Sequence, residues 1–475
     1  MDKLKMAKGL GVCTHFETRD KGWKVEKLLP MIIKLGAVAV RSEIHWEKTE
    51  TKKGYYKIPK VYQDWVDRVS DSGLGIILIL DYGNPLYNNP LDPAGFAKFA
   101  GYMARILKSK NIVAYEIWNE PTNFFFYRQY GGNWSGREPS LWREKFCELL
   151  GMSADAIRNA DPDAEIITNP GEPQFFHMAN HHPESFRNVD GVSHHPYTVR
   201  FPPETVPFGG GYISAQDGIA CADDEHGYVS LFEMTRRHSL LALKKELGLY
   251  ATEFGFSTYN HNFKPGWFCG YTEAAQASYL CRAIILSFAA GVKTPCVYDF
   301  MNDGIDPEDA ESNFGIIRND QEGYRPKPAY HALKNLIHAL GTDWTYLADA
   351  PAELSVQVNG LPATLYWQKQ AEEHFLKITK PQSFWFGKRD EFLCFVWKGG
   401  RMNAEYNAPV GKIIWEHAPA NLKALSVEDV VTGEKLALNL EAPRRNGQYG
   451  MRKIVKDIPV GNNPILVRWR IMPSA

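Results

Sequence analysis

The stretch Ala114-Tyr115-Glu116-Ile117-Trp118-Asn119-Glu120-Pro121 limits the possible folds most, because an apolar strand runs into an adjacent amide and carboxylate and is then stopped by proline. Proline cannot extend a ladder, so Asn119 and Glu120 are expected at the strand's C-terminal end. In a parallel α/β barrel that end carries the chemistry. A second stretch of the same design, Leu249-Tyr250-Ala251-Thr252-Glu253-Phe254-Gly255-Phe256, again closes a short apolar run with one carboxylate.

Around these two runs the chain alternates short apolar segments with longer ones at helical spacing. Strands are read at Gly9 to Phe16, Ala37 to Trp46, Gly75 to Tyr82, the opening stretch, Ala164 to Thr168, Val189 to Tyr197, Leu249 to Phe256 and Pro295 to Phe300. Helices are read at Gly22 to Leu35, Tyr62 to Ser70, Pro93 to Ser109, Leu141 to Ala160, Phe175 to Phe186, Leu231 to Leu247, Thr272 to Ala290 and Ala329 to Leu340. Eight such pairs match the number that closes a (β/α)8 TIM barrel. After about Gly341 the period changes to the alternation of Phe392-Leu393-Cys394-Phe395-Val396-Trp397 and Ile465-Leu466-Val467-Arg468-Trp469-Arg470, with turn signals at Gly399-Gly400, Thr432-Gly433 and Gly461-Asn462. That pattern predicts a C-terminal antiparallel β-sandwich. The expected domains are a catalytic barrel over 1–341 and an accessory sandwich over 342–475.

Composition narrows the partner. With 54 basic and 55 acidic residues the formal net charge is -1, so no global field favours nucleic acid or an anionic membrane. A neutral carbohydrate fits better, and aromatic side chains at 13% of the chain supply stacking faces for one beyond those a core needs. The seven cysteines are scattered, odd in number and without a C-x-x-C pair, which reads as buried or free thiols. The charged start Met1-Asp2-Lys3-Leu4-Lys5-Met6-Ala7-Lys8 lacks the apolar region of a signal peptide. The expectation is a cytoplasmic protein, or a secreted or periplasmic one whose leader has been cut away. No cofactor and no metal are expected, and the oligomeric state is left open.

Glu120 and Glu253 are 253 - 120 = 133 residues apart, so only a closed barrel brings them together. Facing strand-end carboxylates suit hydrolysis of a glycosidic bond, where one acid protonates the leaving oxygen and a second carboxylate acts opposite it. Other strand ends offer Arg41 and His45 on the second strand, Asp81 on the third, His195 and Tyr197 on the sixth and Tyr298 on the eighth. Arg41 has a plain structural reading too, as an ion pair with Glu43 or Asp81. The acidic run Asp303, Asp306, Glu308, Asp309 and Glu311 lacks ordered ligand spacing and reads as a solvated loop rather than a calcium site.

Ile117-Trp118-Asn119-Glu120-Pro121, His195-Pro196-Tyr197 and Thr252-Glu253-Phe254-Gly255 together resemble the catalytic barrel of glycoside hydrolase clan A, over residues 9–340. The resemblance implies that Glu120 is the general acid/base and Glu253 the nucleophile, in a retaining mechanism with a covalent glycosyl-enzyme. It implies further that Asn119 binds the sugar 2-hydroxyl, that Tyr197 donates to the nucleophile and that Arg41 holds it ionised. His45, Asp81 and His195 would line the sugar site. Tyr298 stands where clan members commonly have a tryptophan platform, and Trp134 and Trp267 in loops on the same face would stack further sugars. Within the clan, the sandwich, the Asp303-Gly304 loop and Arg325-Pro326-Lys327-Pro328-Ala329-Tyr330 look most like family 39 and its relatives, with family 5 as runner-up. The implied substrate is a β-linked oligo- or polysaccharide. Two alternatives are a non-catalytic carbohydrate-binding barrel and a metal-dependent hydrolase using His194 and His195.

Overall fold

The computed structural model describes residues 8–199, 201–206, 215–219, 227–260, 269–356, 367–370, 373–376, 381–400, 402, 408–446 and 450–473. Eight parallel strands close into a ring: β1 (Gly11–Cys13), β2 (Ala39–His45), β3 (Gly75–Asp81), β4 (Ile112–Ile117), β5 (Ile166–Thr168), β6 (Gly191–His194), β7 (Gly248–Phe254) and β8 (Pro295–Val297). Closure is explicit, because β1 pairs with β2 on one side and with β8 on the other. The strand β3, Gly-Ile-Ile-Leu-Ile-Leu-Asp, is buried at every position, as expected for a strand covered on both faces. Inside the ring Cys13, Ile77, Ala114, Ile167, Tyr250 and Cys296 pack on one another, one residue from each of six strands. The barrel is therefore filled by side chains, and its chemistry is confined to the mouth.

The observed strands are shorter than the runs read from sequence. The apolar runs persist past the ladder because residues such as Phe16, Trp46 and Trp118 remain buried after the backbone has turned away from its neighbours. Two loops also contain single helical turns, Trp46–Thr49 and Phe126–Tyr130, too short to leave a periodic trace. The first barrel helix, Val25–Leu35, follows its pattern: Val25, Leu28, Ile32 and Leu35 face inward, and Gly36 ends it at φ 89°, a left-handed conformation that glycine adopts without strain.

Two compact units make up the chain. The first comprises Met1–Tyr197, Val206–Gly255 and Val292–Arg325 and holds all eight barrel strands. The second comprises Thr198–Thr205, Phe256–Gly291 and Pro326–Ala475, with the helices Glu273–Ala289 and Pro328–Leu340 and the antiparallel sheets. One sheet runs in the order Lys435–Leu436, Leu422–Asp429, Ile465–Ile471, Glu391–Lys398, Pro381–Lys388, Thr345–Leu347. The other contains Glu353–Val356, Val410–Ala418 and Gly450–Pro459. Their inner faces meet in a common core: the Trp415 ring of one sheet lies 5.6 Å from both Trp385 and Trp469 of the other, which makes this a β-sandwich.

A buried ion pair fastens the second unit. Arg282, fully buried, donates from Nε and Nη2 to Glu204 at 2.8 and 2.5 Å, and the indole of Trp397 donates to Glu204 Oε1 at 2.7 Å. Glu204→Ala leaves the guanidinium uncompensated and is expected to cost about 3–5 kcal/mol. Chemical denaturation followed by tryptophan fluorescence checks this; an unchanged midpoint would show that the pair contributes nothing net. Among the described residues Cys13, Cys147, Cys281, Cys296 and Cys394 are free thiols and all are buried, as expected of thiols that pack as small apolar groups. Among the described residues no helix is long and apolar enough to cross a membrane.

Candidate active site

The site begins where β4 leaves its ladder. After Ile117 the backbone of Trp118 (φ 64°) and of Glu120 (φ 44°) is left-handed, a region non-glycine residues occupy only when their surroundings hold them there. The anchor is Trp118, fully buried, with its ring 4.9 Å from Phe126 and edge-on to Tyr82. The turn brings Asn119 and Glu120 to the barrel mouth just beyond the strand.

Arg41 of β2 is the hub. Its Nε donates to Glu116 Oε2 at 2.7 Å, Nη1 to Glu253 Oε2 at 2.8 Å and Nη2 to Asn119 Oδ1 at 2.9 Å. Burial disfavours the guanidinium charge, but Glu116 and Glu253 outweigh it and hold Arg41 well above its ordinary pKa. The structural reading of Arg41 named Glu43 or Asp81; the hydrogen bonds go to Glu116 and Glu253 instead. Glu253's other oxygen accepts from the Tyr197 hydroxyl at 2.7 Å. Both of its oxygens are thus fixed, one by a cation and one by a neutral donor.

Glu120 has a different neighbour. Its Oε1 lies 2.6 Å from His195 Nδ1, and its Oε2 accepts from Asn123 at 2.9 Å. His195 Nε2 lies 3.1 Å from the Thr252 hydroxyl, and that hydroxyl donates to Glu116 Oε1 at 2.7 Å. With its hydrogen given to Glu116, the Thr252 oxygen can accept from Nε2, and only a charged imidazole, with a hydrogen on both nitrogens, can then also donate from Nδ1 to Glu120. Burial pushes His195 down, but Glu253 and Glu120 outweigh it and raise its pKa; burial pushes Glu120 up, but His195 outweighs that and lowers it. A proton-donating carboxyl usually has a raised pKa; here the shifts run the other way and favour the proton on His195 over Glu120.

The opposite half of the mouth, from β8 through β3, is lined by carboxylates and imidazoles in alternation. His15, just past β1, reaches Asp299 Oδ2 with Nε2 at 3.2 Å and Glu17 Oε1 with Nδ1 at 3.6 Å. His45, at the end of β2, lies 3.1 Å from Glu43 Oε1 and 3.9 Å from Asp81 Oδ1. Burial, with His15 pulling the other way, leaves Asp299 at about 8; burial and the Glu43 charge push Asp81 well up. Burial lowers His45, but Glu43 and Asp81 outweigh it and raise it to about 9.

Of the expected site residues, Arg41, Asn119, Glu120, His195, Tyr197 and Glu253 are brought together in one hydrogen-bonded group. Asp81 and His45 fall in the second group. Tyr298 lies between them, its ring 6.3 Å from Tyr197 and 6.0 Å from His15, whereas Phe300 is fully buried and offers no exposed face. Half-buried Trp134 is placed by its loop, where its carbonyl accepts from Gln174 at 3.1 Å. Trp267 lies outside the described residues. His194 and His195 point to opposite faces of β6, as strand alternation requires: His194 packs between Phe175 and Phe232, bonds Thr235 at 2.8 Å and is pushed by burial down to about 3. A metal site using both is therefore not formed. Sequence reasoning missed Glu116, Thr252, His15 and Glu17. A carboxylate inside an otherwise apolar strand was the available signal for Glu116.

Fold and site define a glycoside hydrolase of clan A. More narrowly, the chain belongs to the cellulase family, glycosyl hydrolase family 5, whose model matches residues 6–285. A family 39 glycoside hydrolase from the gut symbiont Bacteroides cellulosilyticus WH2 shares the fold at 19% identity and a TM-score of 0.66, over 98% of this chain and 82% of that one. The exo-beta-1,4-mannosidase Op5Man5 from Opitutaceae bacterium strain TAV5 is 15% identical, with a TM-score of 0.48 over 70% of this chain and 59% of that one. No curated protein matches the sequence significantly. Both families named from the sequence thus recur, family 5 in the matching model and family 39 in the shared fold.

Proposed function

We propose that this enzyme is a retaining β-glycosidase acting on a β-linked oligo- or polysaccharide, with Glu253 as nucleophile and Glu120 as general acid/base. The observation that carries this reading is spacing: a carboxylate oxygen of Glu120, one of Glu253 and a nitrogen of His195 all lie within 4.8 Å of one another. Retaining enzymes hold their carboxyl groups about 5 Å apart, whereas inverting ones leave roughly 6.5–9.5 Å for a water. Glu253 attacks the anomeric carbon while Glu120 delivers a proton to the departing oxygen. Water then attacks the glycosyl-enzyme, giving its proton back to Glu120 and releasing Glu253. Asn119 is the proposed ligand of the 2-hydroxyl; Arg41 and Tyr197 position Glu253. His45, Asp81, His195, Tyr298 and Trp134 are proposed to line the sugar site, Trp267 is retained from sequence alone, and residue 341 is the proposed domain boundary.

Nuclear magnetic resonance of the first-formed sugar from an aryl β-glycoside tests the mechanism: the β-anomer is expected, and the α-anomer would refute it. Asn119→Ala is expected to lower kcat by about 10- to 100-fold with little change in KM, because the bond to the 2-hydroxyl tightens in the transition state. Unaltered turnover in that variant would remove Asn119 from the site. His195→Asn carries a pH signature. His195 is raised above its ordinary value, so the pair keeps its shared proton until pH rises through that raised value; without the imidazole, Glu120 must hold the proton alone. The basic limb of kcat/KM is expected to move to lower pH, and an unmoved limb would show that His195 does not supply the proton.

A further inference from the structure

We propose that Glu116 is a positioning residue for the acid/base: its carboxylate fixes the direction of a hydrogen-bond chain that runs through Thr252 and His195 and ends on Glu120. The proposal rests on the two-glutamate reading of the site and adds to it a buried residue that acts through others.

Glu116 lies inside β4, upstream of Glu120, and is fully buried. Arg41 anchors it, donating from Nε to Oε2 at 2.7 Å, and Oε1 accepts from the Thr252 hydroxyl at 2.7 Å. A carboxylate can only accept, so the Thr252 hydrogen is committed to Glu116 and the Thr252 oxygen must accept from its other neighbours. Those are the Ser193 hydroxyl at 2.5 Å and His195 Nε2 at 3.1 Å, which fill its two lone pairs. Donation from Nε2 to Thr252, together with donation from Nδ1 to Glu120 at 2.6 Å, is complete only in an imidazolium. The polarity of the chain thus originates at Glu116, whose carboxylate selects the charged form of the ring lying against the acid/base.

The groups around His195 pull both ways. Burial opposes its charge, Glu253 of β7, 3.8 Å from Nδ1, and Glu120 favour it, and Arg41 of β2, with Nη2 3.5 Å from Nε2, opposes it. Past β5, Glu172 is pushed by burial up to about 7, and on the other face of β6 burial pushes His194 down to about 3. A neutral ring would turn the lone pair of Nε2 toward Thr252 and Arg41, so the two forms compete, and the hydrogen that Thr252 gives to Glu116 decides between them. Glu116→Gln reverses that polarity. With the amide oxygen on Arg41, the amide NH2 faces Thr252; the hydroxyl then accepts from it and turns its own hydrogen to Nε2, which holds the ring neutral with a hydrogen on Nδ1.

Nitrogen-15 resonance of the histidine-labelled full chain reads the ring directly, with His195→Asn assigning its signals. In Thr252→Val and in Glu116→Gln the proton affinity of His195 is expected to fall at least about tenfold, and the neutral ring of Glu116→Gln should carry its hydrogen on Nδ1. The basic limb of kcat/KM should move to lower pH in both, and Thr252→Ser, which keeps the hydroxyl, should restore it. Thr252→Val should also lose at least about tenfold more kcat/KM on a methyl glycoside than on a dinitrophenyl glycoside, whose leaving group departs without a proton. Because both substitutions act through one hydroxyl, the double variant should shift the limb no further than Thr252→Val alone. Should Glu116→Gln fail to fold, Thr252→Val carries the test, since it leaves Glu116 on Arg41. An unmoved His195 titration in Thr252→Val would overturn the proposal, as would an equal fall in Thr252→Ser. Retained product with an unmoved titration would refute the chain and leave the mechanism intact. Inverted product with the titration shift preserved would do the reverse.

Discussion

Glu253→Ala is expected to lower kcat on aryl glycosides by on the order of 10^5-fold or more, the scale of losing a covalent nucleophile. The protein should stay folded, because Arg41 keeps its bonds to Glu116 and Asn119, and alanine leaves no buried carboxylate behind. Sodium azide sharpens the experiment. In the space vacated by Glu253, azide attacks the anomeric carbon directly and yields an α-glycosyl azide. In Glu120→Ala, by contrast, the glycosyl-enzyme still forms from a substrate with a good leaving group, and azide captures it as the β-glycosyl azide. Opposite anomers from the two variants assign the two carboxylates without reference to rate. The same anomer from both, or full activity in either, would dismantle the assignment.

Arg41→Leu is the second large effect, and it falls on stability and turnover together. Three acceptors lose their donor at once: Glu116, Glu253 and Asn119. Glu116 suffers most, since it is fully buried and keeps only the Thr252 hydroxyl. Removing one member of such a buried pair typically costs about 3–5 kcal/mol. Arg41→Lys restores a charge but not the fork that reaches three partners, so it is expected to recover part of the stability and little of the activity. Thermal unfolding of both variants beside wild type reads the first effect, and single-turnover rates read the second. An Arg41→Leu protein with wild-type stability would mean that Glu116 had found another donor.

What sequence could reveal follows from the range of the interaction involved. Strand–helix alternation is local, so the eight-stranded barrel and the change to sandwich periodicity after it could be read directly. The Asn119-Glu120-Pro121 stop and the Glu253 tip were legible for the same reason: a polar residue ending an apolar run is a local anomaly. Partners were not. That Arg41 reaches Glu116, 75 residues away, and Glu253, 212 away, depends on barrel closure, and the local alternative of Glu43 or Asp81 was the natural but incorrect pairing. His15 and Glu17 lie just past a three-residue strand, where nothing in spacing separates a site residue from a loop residue. The raised pKa of His195 was also hidden, because it comes from the carboxylates of Glu253 and Glu120, which only barrel closure brings beside it.

The split of the barrel mouth bears on how such an enzyme diversifies. In the proposed mechanism bond breaking draws on strand ends four, six and seven, with Arg41 as their brace, while positions 15, 17, 43, 45, 81 and 299 form a second group on the other side of the mouth, proposed here to face the far side of the sugar. These two groups of codons lie largely apart along the chain, so drift or recombination can retune diet without disturbing the reaction. A library randomised at those six positions should return descendants with new sugar preferences and an unchanged stereochemical course.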